Sequence, residues 1–395
     1  MKKGIVIGAG KDAIHIIKLA KAKGIYVIGL DGNKNAEGLK YVDETRIVDI
    51  SNVSLVSEIV SSIKPDFVIP IPIGRYLSTL GYINSHYGLK GIEEEPTNNS
   101  TDKYLFHKVL NSFGLRNVKL HLLDEKNKKL NAEYIISYPA IIKPRFGSGS
   151  RDVYCLENTI DLDKAINKIK NIEEDFILEE AVVGEEYSVD GAIINEELYI
   201  TLLRKKIITP LPIRQPISSF SVVNNKENLQ LYTRVFNHIN NVTRALKYNN
   251  CLLNADLIIN DKEIFTIEIA PRPSGHNLHN VFVPEATEID IGGEYLNYLM
   301  DKKFNFIPSK IRRLQIRFFD FEDKIIKKVP DLKFLLDSKK CNIIKWECNI
   351  KDGDYMNKII NGHSIMDRGF FIVEGKNERD LVNQSDWILS QFELS

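Results

Sequence analysis

Apolar and polar residues alternate with two different periods in the first 71 residues, and the changes of period mark short strands and helices. Short apolar runs are typical of buried strands, and apolar positions three and four apart are typical of one helix face. The pattern predicts strands over 3–8, 25–30 and 66–71, and helices ending at Gly24 and over 53–63. Strands that alternate with helices predict a parallel sheet with both faces covered.

A second pattern, of period two, occupies residues 253–269. Two strands are predicted there, joined by a turn around Asn260. Alternation puts their apolar residues on one face and Asp256 and Glu268 together on the other. Two neighbouring carboxylates repel each other unless a proton or a cation lies between them, and oxygen ligands of this kind suit Mg²⁺. Arg272, which follows, suits a carboxylate or phosphate. A surface hairpin with its acids in water is the alternative.

Two lysines occupy positions where a lysine is unusual. Lys143 lies in the apolar strand 138–144, where a buried ammonium needs an anion. The following loop, RFGSGSR over 145–151, could turn its backbone N–H groups toward phosphate oxygens. Lys103 lies in the first turn of a helix capped by Thr101 or Asp102, where the helix dipole disfavours a cation. An ordinary hairpin loop and a solvated surface lysine are the alternatives.

Strands are also predicted over 176–180 and 186–194, with a short connector that contains Gly184. Glu179 and Glu186 lie at the two ends of this connector, whose backbone groups are free to bind a base. Acidic residues beside a turn are common, so the feature is weak by itself.

Length and composition are those of a globular protein. The 395 residues suffice for roughly two to three domains. Basic and acidic residues number 53 each, which gives no global sign of nucleic-acid or membrane binding. The N-terminal apolar run is too short for a signal peptide, and no apolar stretch approaches the roughly 20 residues of a membrane span. Four scattered cysteines without a zinc pattern favour a reduced, cytoplasmic protein.

A competing signal lies at the N-terminus. Gly8, Gly10 and Ala13, with Asp31 about twenty residues later, match the dinucleotide fingerprint in its GxGxxA form. A nicotinamide-dependent oxidoreductase is therefore a rival hypothesis. It leaves Lys143, Glu179 and the Asp256–Glu268 pair unexplained, and a tight strand–helix turn would account for the small residues equally well.

Taken in order, five motifs resemble those of the ATP-grasp superfamily, in its carboxylate–amine ligase and biotin-carboxylase-like branches. The motifs are TDKYLFHKVLNSFGL, YPAIIKP, GSGSR, ILEEAVVGEEYSV and NADLIINDKEIFTIEIAPRP. The resemblance implies an α/β (α+β) ATP-grasp fold with a Rossmann-like domain over 1–98, an ATP-grasp domain over 99–310 and a C-terminal lobe over 311–395. The small lobe of the grasp would cover about 115–190.

The same resemblance implies a role for each motif. Lys103, Lys143 and the loop Gly147, Ser148, Gly149 and Ser150 would hold ATP phosphates, and Glu179 would accept from the adenine amino group. Glu180 and Val182 would offer backbone contacts, and Glu186 would bind the ribose. Asp256 and Glu268 would bind Mg²⁺ or Mn²⁺, and Arg272 would stabilise a charged intermediate.

Three features extend or depart from this pattern. Many members have Asn two residues after the metal-binding Glu, where this chain has Ala270. The number of bound metal ions, one or two, is therefore left open. The basic, proline-rich segment 204–220 is predicted to be a loop, and the resemblance implies that it lies near the triphosphate and the acceptor substrate. Lys205, as a catalytic residue, and Arg214 are the candidates there, and a basic solvated loop is the alternative. The C-terminal lobe is expected to complete the core and could contribute a homodimer face.

The function implied is an ATP-dependent ligase that activates a carboxylate as an acyl phosphate for attack by an amine. Both substrates would be small molecules, with no nucleic acid or membrane partner. Candidate substrate contacts lie around Gly74–Arg75 and His276–Asn277. A bicarbonate-activating enzyme and a non-catalytic ATP-binding protein are the alternatives within the same family.

Overall fold

The computed structural model describes residues 1–116, 118–125, 136–147, 152–210, 215–222, 228–360 and 362–395, without the side chain of His363. Three bodies follow one another along the chain: a parallel sheet with helices, a small antiparallel sheet, and a large antiparallel sheet that continues to the C-terminus. Within these ranges none of the helices combines the length and the apolar composition that crossing a bilayer requires.

The N-terminal body is the parallel sheet that the alternating pattern predicts. Its four strands run in the order β3-β2-β1-β4. They are β1 (Lys3–Ile7), β2 (Tyr26–Asp31), β3 (Glu44–Ile47) and β4 (Phe67–Val68). The helices are α1 (Ile14–Ala22), α2 (Val53–Ile63), α3 (Leu77–Tyr87), α4 (Glu94–Thr101) and α5 (Lys103–Ser112), with short 3₁₀ turns at Lys11–Ala13 and Glu37–Lys40.

A small antiparallel sheet follows, in the order β5-β8-β6-β7. Its strands are β5 (Leu120–Leu123), β6 (Ala140–Pro144), β7 (Tyr154–Leu156) and β8 (Phe176–Glu180). One face packs on α6 (Thr159–Ile169) through a separate apolar core that includes Ile142, Ala165 and Leu178. Because side chains alternate along a strand, Lys143 and Glu179 point away from that core.

The central sheet has eight strands in the order β13-β12-β9-β10-β11-β14-β18-β16. Its first five strands in the chain are β9 (Glu185–Ile194), β10 (Glu197–Ile208), β11 (Pro216–Ser221), β12 (Cys251–Ile259) and β13 (Ile264–Ala270). They pack against α7 (Leu229–Ala245), a π-helical turn at Leu278–Phe282, α8 (Val283–Thr287) and α9 (Ile291–Leu299). Buried residues of this sheet and of the N-terminal body form one continuous core.

The C-terminal segment extends the central sheet. Its remaining strands are β14 (Leu314–Phe318), β16 (Ile343–Cys348) and β18 (Gly369–Glu374). A three-stranded sheet lies beside them, formed by β15 (Lys324–Lys328), β17 (Tyr355–Met356) and β19 (Glu393–Leu394). The helices are α10 (Leu332–Asp337), α11 (Gly362–Met366) and α12 (Glu378–Ser390). Aromatic residues such as Phe319 and Phe371 form a second core here.

Three expectations about elements are corrected. The segment expected to be a linker, Glu93–Asn99, is largely helix α4. Its Pro96 does not prevent the helix, because it lies in the first turn, where the backbone N–H has no partner within the helix. The expected strand 66–71 is regular only over Phe67–Val68. The expected loop 204–220 begins and ends as strand, since β10 extends to Ile208 and β11 starts at Pro216; residues 211–214 lie outside the described ranges.

Candidate nucleotide site

A buried carboxylate joins the small sheet to the helix that precedes it. Glu179 of β8 is 3% exposed, and its Oε1 lies 2.6 Å from Nζ of Lys143 on β6. Its Oε2 accepts a hydrogen bond of 2.9 Å from Arg116 and lies 3.0 Å from Nε2 of His107 on α5. Burial alone would raise the pKa of Glu179, but Lys143, His107 and Arg116 hold this pKa well below its usual value. The carboxylate is therefore charged and fixed.

His107 completes this cluster as a neutral base. The side chain is 1% exposed, and burial lowers its pKa to about 4 even though Glu179 favours the charged form. Arg116 extends the cluster in the other direction, because its second N–H group donates to the backbone oxygen of Thr266 on β13 at 3.1 Å. One arginine thus contacts both the small sheet and the central sheet.

Lys103 is the first residue of α5, and the preceding residue, Asp102, is held by two sets of contacts. Asp102 caps the helix by accepting from Tyr104 and Leu105, and Arg145 binds the same carboxylate at 2.9 and 2.6 Å. The Lys103 ammonium donates to the backbone oxygen of Gly147 at 2.6 Å. Burial lowers the pKa of Lys103, and the charges of Glu268 and Lys143 act on it in opposite directions. Lys103 therefore lies near both Lys143 of the small sheet and Glu268 of the central sheet.

Asp256 and Glu268 are directly opposite each other across β12 and β13. The alternation from which this pairing was predicted breaks one residue later, since the register shifts between Asp256 and Leu257. Because of this bulge, Thr266 pairs with Leu257, is fully buried and hydrogen-bonds His238 at 2.8 Å, instead of sharing the face of Glu268. Asp256 and Glu268 stay together on the polar face.

Lys206 is the residue of this face that the sequence does not indicate. Its Nζ lies 2.9 Å from Oδ2 of Asp256 and 3.8 Å from Oε2 of Glu186. Burial would lower the pKa of Lys206, but Asp256 and Glu186 raise it above its usual value. Next to it, Arg204 of β10 is buried and pairs with Asp190 of β9 at 2.9 Å. Only the strand assignment of residues 204–208 could have revealed these contacts.

Lys205, the catalytic candidate, lies on the opposite face of β10. Its ammonium binds Glu185 at 2.6 Å and Glu378 of α12 at 3.4 Å. The physical reason is alternation: in a strand only Arg204 and Lys206 can share a face, whereas a loop would have left all three free. The structure brings Lys206, and not Lys205, to the acids. Arg214 lies outside the described ranges.

The connector between β8 and β9 contains the predicted base contacts. The Glu180 carboxylate accepts from the backbone N–H groups of Lys119 and Ser137 at 3.3 and 3.2 Å, and Val182 is half-buried. Gly184 lies so close to β12 that a side-chain carbon would be 2.5 Å from the backbone oxygen of Ile259. Close approach, and not turn formation, explains this glycine.

The remaining predicted residues lie around these groups. Arg272 follows β13, is half-buried and donates to the backbone oxygen of Pro273 at 2.9 Å. Gly147 has a φ of +125°, which favours glycine. Ser148, Gly149 and Ser150 lie outside the described ranges. Arg75 of the N-terminal body is 5.9 Å from the ring of Phe146, at the start of the same loop.

Comparison with known proteins shows which family the central part of the chain resembles. Residues 136–280 match the family model of the ATP-grasp domain. This part of the chain is similar to that family. Over 336 residues it is 22% identical to formate-dependent phosphoribosylglycinamide formyltransferase of Prochlorococcus marinus (strain MIT 9515), which covers 79% of this chain and 80% of that protein.

The fold of the whole chain is similar to the folds of solved structures. The L-amino acid ligase from Bacillus licheniformis superposes with a TM-score of 0.80 at 15% identity, covering 100% of this chain and 98% of that one. N5-carboxyaminoimidazole synthetase from Staphylococcus aureus complexed with ADP gives 0.72 at 13% identity, covering 98% and 96%. The predicted fold class, ATP-grasp with an N-terminal parallel-sheet domain, is confirmed.

The glycine turn that follows β1 makes hydrogen bonds with neighbouring residues of the N-terminal body. The Asp31 carboxylate accepts from the backbone N–H groups of Ala9 and Asn33 at 2.7 and 2.8 Å. Gly38 of the second 3₁₀ turn donates to the backbone oxygen of Ala9 at 2.8 Å, and a side-chain carbon there would lie 2.6 Å from that oxygen. A dinucleotide needs this acid and the space above this turn, so the geometry disfavours the oxidoreductase hypothesis.

Asp256 and Glu268 fit Mg²⁺ only together with a nucleotide. No group of three or more acidic, histidine or cysteine side chains in the described ranges could enclose a metal ion. Mg²⁺ is usually held by one or two carboxylates, water and substrate phosphates, which is the donor set that Asp256 and Glu268 provide. The donor chemistry therefore fits a metal ion that is bound with ATP.

Proposed function

We propose that this chain is an ATP-dependent ligase that activates a carboxylate as an acyl phosphate, which an amine attacks to form an amide bond, with release of ADP and phosphate. The observation that carries the proposal is the position of Lys103. Its ammonium lies at the Gly147 loop and interacts electrostatically with both Lys143 and Glu268. This position supports a shared site, because it relates Lys143 of the small sheet to Glu268 of the central sheet, and Glu268 is opposite Asp256.

Each residue has a defined task in this proposal. Lys103 and Lys143 bind phosphate oxygens of ATP, with the loop that starts at Gly147. Adenine lies on the backbone of Glu180 and Val182, and Glu186 binds the ribose. The buried Glu179 carboxylate holds Lys143 at 2.6 Å and so positions it for the phosphates, in addition to any contact with adenine.

The chemistry needs charge neutralisation and exclusion of water. Mg²⁺ bound by Asp256 and Glu268 would neutralise charge on the phosphate oxygens as the γ-phosphoryl group moves to the carboxylate. Arg272 stabilises negative charge on the activated substrate. Closure of the cleft protects the acyl phosphate from hydrolysis until the amine attacks and phosphate leaves.

We also propose the domain division 1–98, 99–310 and 311–395, with a small lobe over about 115–190. The small lobe contains the four-stranded sheet and its separate apolar core. The substrates are a small carboxylic acid and an amine. Two similar proteins, a formate-dependent formyltransferase and an L-amino acid ligase, support that class. A homodimer through the C-terminal lobe is compatible with the proposal.

Release of ADP tests the proposed function directly. Purified protein with Mg-ATP is screened against pairs of amino acids and against formate with primary amines, and ADP is measured by a coupled assay. ADP release that requires both a carboxylate and an amine is the expected result. Glu268→Ala should lower that rate on the order of a thousandfold, because the metal's charge neutralisation is lost.

Glu263→Ala is the matched control, since Glu263 is exposed on the same hairpin beyond the acid pair. It should leave ADP release unchanged. Near-normal release by Glu268→Ala would contradict the metal assignment. Release that depends on bicarbonate instead of an amine pair would identify a carboxylase-type enzyme. Binding of Mg-ATP without any substrate-dependent release would indicate a non-catalytic protein.

A further inference from the structure

Lys206 crosses one strand of the central sheet to reach its partner. Its backbone lies on β10, opposite Glu186 of β9, whereas Asp256 lies on β12, opposite Ser188 of β9. Because β9 separates β10 from β12, the two backbones are two strand spacings apart, about 10 Å, and the side chains of Lys206 and Asp256 together bridge this distance. The contact of 2.9 Å at the far end shows that the extended stem carries the ammonium to the metal-binding acid.

Among the described residues of this face, carboxylates outnumber cationic side chains. Glu186, Asp256 and Glu268 share the face, while Arg204 is already paired with Asp190 at 2.9 Å. Lys206 supplies one positive charge, with its side chain only 12% exposed. One divalent ion with that ammonium would balance the three carboxylates of this face, before the charges of Lys103, which also acts on Glu268, and of a nucleotide are considered.

The same face offers few ligands for two divalent ions. Ala270 stands two residues after Glu268 and contributes a methyl group. Its cross-strand partner Asn254 donates from its amide N–H to the backbone oxygen of Val189 at 3.4 Å, which holds this side chain against β9. One oxygen of Asp256 is bound by Lys206. A second divalent ion beside Asp256 would also meet the ammonium at close range and be repelled by it.

We propose that the Lys206 ammonium is a built-in cation of the nucleotide site, that it takes the place of one of two divalent ions, and that the chain therefore binds ATP with a single Mg²⁺. This inference rests on the nucleotide site proposed above. Lys206 is in this view a binding residue that fixes Asp256 and sets the number of metal ions.

Counting bound Mn²⁺ tests the inference without any turnover. The full-length protein is saturated with adenylyl imidodiphosphate, a non-hydrolysable ATP analogue, and bound Mn²⁺ is counted by electron paramagnetic resonance. The wild-type complex should bind one Mn²⁺. Lys206→Met keeps the length of the side chain and removes its charge. It should bind the analogue about tenfold more weakly at limiting Mn²⁺, as expected for one lost charge-assisted contact. Excess Mn²⁺ should restore binding, with a second ion bound.

Lys206→Arg is the matched control, because it retains the charge, and it should bind one Mn²⁺. Two Mn²⁺ in the wild-type complex would overturn the inference and leave the nucleotide site intact. The same metal count and affinity in Lys206→Met as in wild type would also overturn it. If Lys206→Met does not fold, the counts for wild type and Lys206→Arg decide the question. A wild-type protein that binds no analogue would overturn the nucleotide site itself, and the inference with it.

Discussion

At the scale of single residues, the Glu179 carboxylate is the group on which most other contacts of the site depend. It is buried and binds Lys143 and Arg116 at 2.6 and 2.9 Å. Glu179→Gln should lower the free energy of unfolding by about 3–5 kcal/mol, because two buried cations lose their counter-charge. Urea unfolding followed by circular dichroism measures this change. Affinity for an ATP analogue should fall in parallel, since Lys143 is no longer positioned.

Glu180→Gln is the neighbouring control. That carboxylate is more exposed, accepts from two backbone N–H groups and lies 3.9 Å from the exposed Lys119 ammonium, so the loss should stay below about 1 kcal/mol. Equal destabilisation by the two variants would show that Glu179 has no special role.

His107 should make the stability of the protein dependent on pH. Burial lowers its pKa from 6.5 to about 4 in the folded chain. As the pH falls below 6.5, the unfolded chain binds a proton that the folded chain does not, so stability is present above pH 6.5 and is lost progressively toward pH 4. The loss should be on the order of 3 kcal/mol. Urea unfolding between pH 7 and pH 4 measures it.

His107→Gln removes this titration and should flatten the pH profile by that amount. His86 lies on the surface of α3, so His86→Gln should leave the profile as in wild type. An unchanged slope in His107→Gln would contradict the assignment.

The sequence identifies residues of the site where a local pattern determines their position. Asp256 and Glu268 follow from alternation on two adjacent strands, and their cross-strand pairing agrees with it. His107 and Arg116 have no local signal, because their partner Glu179 is more than sixty residues away and is reached only through tertiary packing. Lys206 was missed because its segment was expected to be a loop.

At the scale of elements, the start of β9 depends on close contact with the end of β12. Gly184→Ala would place a carbon 2.5 Å from the backbone oxygen of Ile259. We expect a loss of about 1–3 kcal/mol from the displaced strand. Thermal unfolding and nucleotide affinity measure the effect on the fold and on the connector.

Gly10→Ala is the matched control for this glycine. Gly10 has a φ of −68° and no heavy atom within 4 Å of an added carbon, so the variant should be neutral. Destabilisation by Gly10→Ala would show that the N-terminal turn has a tighter packing requirement than its geometry indicates.

Element boundaries follow the sequence where amphipathic periodicity and capping agree. Helix α2 spans Val53–Ile63 as predicted, with Asn52 accepting from Leu55 at its start. Helix α4 escaped detection because its sequence EEPTNNST is polar and has the composition of a linker. The bulge at Asp256–Leu257 also has no sequence signal, since it depends on how β13 pairs with β12.

At the scale of the whole molecule, the C-terminal segment belongs to the central sheet. Strand β14 pairs with β11 through Ser218–Phe220, and β18 pairs with β14. A chain that ends at residue 310 would expose β11 as an unpaired edge and lose the second aromatic core. We expect it to aggregate or to unfold without cooperativity in calorimetry. A soluble fragment 1–310 with a sharp transition and normal nucleotide binding would contradict this expectation.

The order of the large sheet explains why the sequence could not predict it. Individual strands such as β12 and β13 follow from their hydrophobic patterns, but β9 pairs with β12 across about sixty residues that include α7. Long-range pairing of this kind depends on the complementarity of whole surfaces. The resemblance to a known family indicated the fold class, and it did not indicate which lysine of β10 faces the acids.

The path of the Lys206 stem across β9 has a consequence for evolution. Ser188 of β9, the strand that the stem crosses, lies opposite Asp256, and its hydroxyl accepts a hydrogen bond of 3.0 Å from Arg204. A bulkier residue at 188 would block that route, and a shorter residue at 206 would leave the gap empty. The residues at positions 188 and 206 should therefore change together in evolution. In a library randomised at both positions, the functional variants should pair a small residue at 188 with a long basic residue at 206.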